Sequence, residues 1–250
     1  MGIKKIIKKI VFKEKCDSIT YIKHLRKIGM DIGNNVNIYA PRETIIDETR
    51  PFLIKIGSNV NITSGVKILT HGYDWSVLKA KTGRVYGSAG KVKIGNNVFI
   101  GMNSIILKGV TIGDNVIIGA GSVVTKDIKE NSVVAGNPAK YICDIDEYEK
   151  KRQVRQLEEA YEMFESYYAR YNKEPNIDIF DEFFFLFGNK ECMIFEKAKK
   201  QLENTGNYET SIYTYLNHNP MFENYKAFKE YCLKRMEKNR HNKKIINNEI

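Results

Sequence analysis

An aliphatic residue recurs at every sixth position across the middle of this chain, and few folds tolerate so short a beat. From Ile94 the sequence reads IGNNVF, IGMNSI, ILKGVT, IGDNVI, IGAGSV and VTKDIK, headed by Ile94, Ile100, Ile106, Ile112, Ile118 and Val124. The fifth positions are aliphatic or small: Val98, Ser104, Val110, Val116, Ser122 and Ile128. Six residues are too few for a helical repeat and too regular for ordinary strands, which leaves a solenoid of short strands. Each hexad supplies one flat side of a coil. Its first residue points inward, and Gly and Asn cluster where the chain must turn (Gly95-Asn96-Asn97, Gly113-Asp114-Asn115, Gly119-Ala120-Gly121). Those residues enter φ > 0 at low cost. Stacked coils then lie about 4.8 Å apart over a column of Ile and Val.

Looser hexads precede this run: IGNNVN (32–37), IYAPRE (38–43), IGSNVN (56–61) and ITSGVK (62–67), with an irregular patch at 44–55. The repeat breaks after ILTHGYDW (68–75) and resumes at Ile94. A loop at 72–91 therefore leaves the solenoid directly after His71, the one histidine between residues 25 and 217. Insertions in solenoids map to binding faces. Asp74, Trp75, Arg84 and Tyr86 give this one the aromatic surface and hydrogen-bonding groups that suit a sugar acceptor.

The run KIGNNVFIGMNSIILKGVTIGDNVIIGAGSVVTKDIKENSVVAGNPAK resembles the hexapeptide-repeat acyltransferase superfamily. It is similar above all to maltose- and galactoside-type and capsular-polysaccharide O-acetyltransferases. The resemblance is specific from about 54 to 142. It implies a mainly β fold, a left-handed parallel β-helix with three hexads per coil, in a homotrimer whose active sites lie between subunits. That hand opposes the usual right-handed crossover.

The resemblance further implies an acetyl-CoA-dependent O-acetyltransferase that uses no metal. His71 falls on the family's catalytic histidine, and histidine is the side chain that most often takes a proton as a general base. Ala120 falls where the family hydrogen-bonds the pantetheine arm. Met102 falls on a position whose backbone contacts the arm near the thioester, and Gly101 or Met102 could donate to an oxyanion. Thr125 and Lys126 match positions near the adenine-phosphate end, where a hydroxyl and a cation suit phosphate. Phe99 stands where relatives often carry Trp beside the CoA site. Asp74 could orient the imidazole or bind an acceptor hydroxyl.

Three regions follow: a basic amphipathic segment at 1–29, the β-helix at 30–143 with its 72–91 loop, and an α-helical region at 144–250. The net charge of +10 is concentrated early, with nine Lys or Arg against Glu14 and Asp17 in the first thirty residues. Ile3, Ile6, Ile7 and Ile10 fall at helical spacing. That segment fits either a peripheral contact with an anionic membrane or a helix packed on the body of the protein. It lacks the interleaved aromatics of a nucleic-acid-binding surface. No apolar run approaches the ~18 residues of a membrane span, and no signal-peptide pattern opens the chain, so a cytoplasmic location is expected. Cys16, Cys143, Cys192 and Cys232 lack paired spacing.

After Asp144 the period becomes helical. A stripe through Val154, Leu157, Tyr161, Phe164 and Tyr168 predicts one long helix ended by Pro175. IFDEFFFLFG must be buried, against the β-helix or another subunit. Further helices are expected near 191–204, 208–217 and 222–239. Two other functions share the scaffold: N-acetylation of an amino sugar, often nucleotide-linked, and a catalytically inactive structural β-helix. A carbonic-anhydrase-like metal enzyme would need several histidines where the repeat supplies one.

Overall fold

Each hexad forms one short strand and one corner, and three hexads close a coil. In the computed structural model, which describes residues 11–188 and 196–248, the strands stack in parallel on three faces. The first face carries Asp31–Ile32, Ile54–Ile56, Val92–Ile94 and Thr111–Ile112. The second carries Asn37–Ile38, Val60–Ile62, Val98–Ile100, Val116–Ile118 and Ser132–Ala135, closed by the antiparallel strand Lys140–Asp144. The third carries Ile45–Ile46, Lys67–Ile68, Ile105–Ile106 and Val123–Val124. Register places Ile46, Ile68, Ile106 and Val124 in one inward column, and each is at most 3% exposed. A fully buried aliphatic side chain contributes about 1.5–3 kcal/mol, so these columns are the main source of stability in the coils.

The irregular patch at 44–55 does not leave the solenoid. Ile46 holds its place in the third column even though it lies eight residues after Ile38. At the Asn corners the structure divides the labour that the sequence left shared between Gly and Asn. Asn35, Asn59, Asn97, Asn115 and Asn131 take the left-handed conformation, with φ between 54° and 58°. Their amides also bond from coil to coil, Asn97 to Asn115 at 2.8 Å and Asn115 to Asn131 at 2.9 Å. The glycines beside them serve close stacking instead. A Cβ on Gly95 would lie 2.7 Å from the Gly113 carbonyl carbon.

The helix Ser18–Lys27 closes the lower end. Asp17 caps it by accepting from the Thr20 N–H at 2.8 Å, and Tyr21, Ile22 and Leu25 are buried in the solenoid core. Ser18 Oγ accepts from the Ile38 N–H at 2.9 Å, which satisfies a donor on a bottom edge strand. The expected helix at residues 3–10 lies outside the described residues.

The insert between Ile68 and Val92 is not a plain loop. It contains the helix Trp75–Thr82, stopped by Gly83 at φ 74°, whose N–H bonds to the Lys79 carbonyl at 2.8 Å. Glycine beyond a C-terminus is the usual way to end a helix.

The chain divides into two compact units, Met1–Glu149 and Lys150–Ile250. The helix Ile145–Tyr171 begins in the first and runs into the second. It stops four residues before Pro175, with Asn172 at φ 50°. Tyr161 and Phe164 of the expected stripe are buried, whereas Val154 stays 78% exposed. Phe180, Phe184, Leu186 and Phe187 pack with Phe164, Tyr215 and Phe228 in this unit's own core, which is where the apolar IFDEFFFLFG segment finds its burial. The helices Glu196–Glu203, Tyr208–Asn217 and Tyr225–Asn248 complete it. The mainly-β expectation holds for the coils only. Over the described residues helices contain more of the chain than strands, because two of them exceed twenty residues. None of the described helices is long and apolar enough to cross a membrane.

Candidate active site

Where the insert leaves the solenoid, its two ends are tied together. His71 pairs with Ala89 in an antiparallel bridge, Gly72 N–H donates to the Ser88 carbonyl at 3.2 Å, and Gly90 N–H donates to the Thr70 carbonyl at 2.9 Å. These bonds hold the histidine backbone at the corner after the third face. The side chain remains about one-third exposed.

The imidazole is oriented by Asp47, not by Asp74. His71 Nδ1 faces Asp47 Oδ2 at 2.6 Å. Asp47 Oδ1 accepts from the Thr49 N–H at 3.0 Å and the Thr49 hydroxyl at 2.6 Å. Oδ2 also accepts from the Thr70 N–H at 3.3 Å and from the Thr70 hydroxyl. Burial by itself would push the Asp47 carboxyl up. The hydrogen bonds from Thr49, Thr70 and His71 outweigh it and hold the group well below the usual carboxylate range. An ionised carboxylate only accepts, so in the neutral imidazole Nδ1 carries the hydrogen and Nε2 the lone pair. That is the tautomer a general base needs.

Asp47 escaped the sequence reading because it sits in the patch where the hexad phase is lost. The register of Ile46 with Ile68 brings the residues that follow each of them to one corner. Asp74 instead occupies the N-cap position of the insert helix, caps nothing with its side chain, and lies against Gly72. The next residue after Asp47 faces the other way: Glu48 accepts from Tyr21 Oη at 2.8 Å and meets His24 Nε2 at 2.9 Å. Burial and the adjacent Glu48 raise the Tyr21 phenol well above its ordinary value. The strand end that supports His71 is therefore pinned to the helix Ser18–Lys27.

The insert places Trp75 against Tyr73, ring centroids 4.7 Å apart. Tyr73 was not foreseen as its partner. Arg84 and Tyr86 are exposed on the irregular returning segment of the insert, and no hydrogen bond joins them to His71 among the described residues.

The residues expected at a cofactor fall on one face and two corners. Phe99 points outward from the second face, 41% exposed, between Asn61 and Ile117. Met102 and Ala120 follow at the corner leading to the third face. The Met102 carbonyl accepts from Gly121 N–H at 2.7 Å, and Gly101 N–H donates to Ile118 at 2.8 Å. Gly101 is thus excluded as a free oxyanion donor, which leaves the Met102 N–H. A Cβ on Gly101 would lie 2.5 Å from Ala120 N. Thr125 and Lys126 are exposed on the opposite side of the third face, two coils above His71 at the same corner, about 10 Å along the axis. Lys126 also borders a 470 Å³ cavity with Lys129, Tyr141 and Asp144.

Residues 91–126 match the family described as bacterial transferase hexapeptide (six repeats). Protein CapG of Staphylococcus aureus is 49% identical over 128 residues, 51% of this chain and 73% of that protein. Galactoside O-acetyltransferase of Escherichia coli is 41% identical over 123 residues, 49% of this chain and 56% of that protein. Among solved structures, a maltose O-acetyltransferase from Clostridium difficile shares 33% identity over 50% of this chain and 75% of its own, with a TM-score of 0.37. With a relative matched so closely over nearly three quarters of its length, and with coils built from the same hexads, this chain belongs to the bacterial hexapeptide-repeat transferases.

Proposed function

We propose that the chain is an acetyl-CoA-dependent O-acetyltransferase acting on a sugar hydroxyl, in the synthesis of a surface or capsular polysaccharide. The observation that carries this reading is the His71–Asp47 pair at the root of the insert, with Nε2 as the free base nitrogen. Membership of the transferase family supports it, as do the names of CapG and the galactoside enzyme. Acetyl-CoA would supply the activated thioester. Exposed Lys126 with Thr125 suits its phosphates, and the tightly stacked Gly101–Ala120 corner leaves little side chain in the way of a slender arm. His71 Nε2 takes the proton of the acceptor hydroxyl and can return it to the departing thiol. Asp47 stabilises the imidazolium in between. The Met102 N–H is the remaining backbone donor for the carbonyl oxygen. Asp74, Trp75, Arg84 and Tyr86 form the acceptor side, joined by Tyr73.

In this reading the solenoid is a left-handed β-helix and the working form is a homotrimer in the cytoplasm. The outward chemistry of the faces supports the trimer. The first face presents Asp31, Lys55, Lys93 and Thr111. The upper parts of the other two present Phe99, Ile117, Ile105 and Val123, apolar groups suited to burial by a second copy. Met102 and Ala120 lie on the other edge of the third face from His71, Thr125 and Lys126. Corner-to-corner packing of two copies would bring the two sets together. The insert helix also leaves Val77 72% and Leu78 42% exposed.

Calorimetry of acetyl-CoA binding, followed by acetyl transfer to a sugar panel with wild type and His71→Ala, tests the proposal. His71→Ala should lose about 10²–10⁴-fold in turnover while acetyl-CoA binding persists. A folded wild-type protein that binds no acetyl-CoA would overturn the reading.

A further inference from the structure

The Asp47 carboxylate is held by more donors than a simple aspartate–histidine pair requires. Thr49 satisfies Oδ1 twice, through its N–H at 3.0 Å and its hydroxyl at 2.6 Å. Thr70 approaches Oδ2 with its N–H at 3.3 Å and its hydroxyl, beside His71 Nδ1 at 2.6 Å. With five donors around two oxygens, the carboxylate has no lone pair to spare for a proton of its own or for a second orientation. Thr70 is itself immobilised. It is 0% exposed, directly precedes His71, and its carbonyl is taken by Gly90 N–H at 2.9 Å. The Asp47 backbone is likewise fixed, its N–H donating to the Ile68 carbonyl at 3.0 Å.

We infer that Thr70 and Thr49 are positioning residues for acyl transfer: their hydroxyls lock Asp47 in the one orientation that presents Oδ2 to His71 Nδ1–H. The inference rests on the acyltransferase reading for its kinetic consequence and on the structure for its geometry. The physical reason lies in burial. Between Thr70, 0% exposed, and a carboxylate 8% exposed, water cannot enter to replace the Thr70 hydroxyl, so without it the carboxylate would turn or take up a proton. Either change frees the imidazole to protonate on Nε2 instead, and that tautomer has no lone pair for the acceptor hydroxyl. The Asp47-Glu48-Thr49 stretch contributes through an Asx turn, the local bond from an Asp side chain to the backbone two residues on. The hydroxyl of the same Thr49 adds the second bond. Thr70 is supplied by the neighbouring coil, so the lock spans two coils.

Thr70→Val keeps the shape and removes the donor, Thr70→Ser restores it, and Thr49→Val does the same at an exposed position where the fold tolerates the change. Nitrogen-15 NMR of the four histidines, with His71 assigned from His71→Ala, reads the tautomer directly in the free protein and needs no acceptor. Wild type and Thr70→Ser should show His71 protonated at Nδ1, with a downfield proton protected from exchange. Thr70→Val should lose that proton signal and show mixed tautomers, and Thr49→Val should weaken it. In transfer assays Thr70→Val should lower kcat about tenfold, the worth of one hydrogen bond to a charged group, with the KM for acetyl-CoA unchanged. A Thr70→Val or Thr49→Val protein with the wild-type His71 signature would overturn the inference, and so would failure of Thr70→Ser to restore what Thr70→Val loses. If His71→Ala retained full transfer activity, the base assignment would fall, while the NMR comparison would still decide whether the threonines lock Asp47.

Discussion

Asp47 does two things that can be measured separately. It fixes the imidazole, so Asp47→Asn should reduce transfer by at least about 10²-fold, because an amide can present its NH₂ to Nδ1 and reverse the tautomer. It also contributes to stability as an ion. Its carboxyl is held below the value of about 3.9 that it has in an unfolded chain. A lowered folded value stabilises the protein fully above that pH and ceases to do so as the pH falls from about 4 through the folded value. Melting temperatures of wild type and Asp47→Asn should therefore differ more at pH 7 than at pH 3; equal gaps would mean that ionisation of Asp47 adds nothing to stability. His71 was legible because a solitary histidine stood where a strict repeat stopped. Asp47 was not, since its partner lies 24 residues away, across a coil whose third side runs longer than a hexad. Asp74 attracted attention through nearness in sequence, yet it sits at the start of the helix Trp75–Thr82, and the carboxylate on the imidazole is Asp47.

The hexad is the element from which the coils are made, and its glycines set how closely they can stack. Gly33, Gly57, Gly95 and Gly113 form a column in which each would drive a Cβ into the backbone of the next coil. Gly95→Ala should cost about 1–3 kcal/mol, the usual scale of overpacking, read as a lower urea midpoint with an unchanged slope. A wild-type midpoint would mean that the coils can separate to admit a methyl group. The sequence pattern located these corners without dividing the work between their residues, because composition shows that Gly and Asn share a turn without showing which one takes positive φ. The insert shows the same limit. Its start and length follow from the broken repeat, whereas its helix is short, buries none of its own residues and has too little periodicity to be read beforehand.

At the scale of the molecule, one chain spreads the expected cofactor residues over one face and two corners, and carries an apolar outer surface on parts of two faces. Assembly is the physical way to resolve both features. Light scattering should give three times the chain mass, and Ile117→Asp, outward on the second face, should lower that mass while leaving circular dichroism unchanged. A trimer undisturbed by that charge would move the interface away from the second face. The helical unit from Lys150 onward has an aromatic core of its own, in which the rings of Phe180, Phe187, Tyr225 and Phe228 meet edge-on or tilted, centroids 5.0–6.2 Å apart. A continuous apolar run such as IFDEFFFLFG announces burial without naming the surface that buries it.

What the sequence by itself determined is the part governed by a local period: a solenoid of stacked hexads, the columns of Ile and Val inside it, the site of the insert, and the histidine at its root. Each is encoded within a few residues, so each can be read in one dimension. The tertiary structure alone decided which carboxylate meets that histidine, which threonines hold the carboxylate, and which backbone donor remains near the cofactor corner. Those outcomes depend on the registry between successive coils, and one irregular side, such as the stretch from Ile38 to Ile46, shifts that registry without disturbing the pattern on either flank.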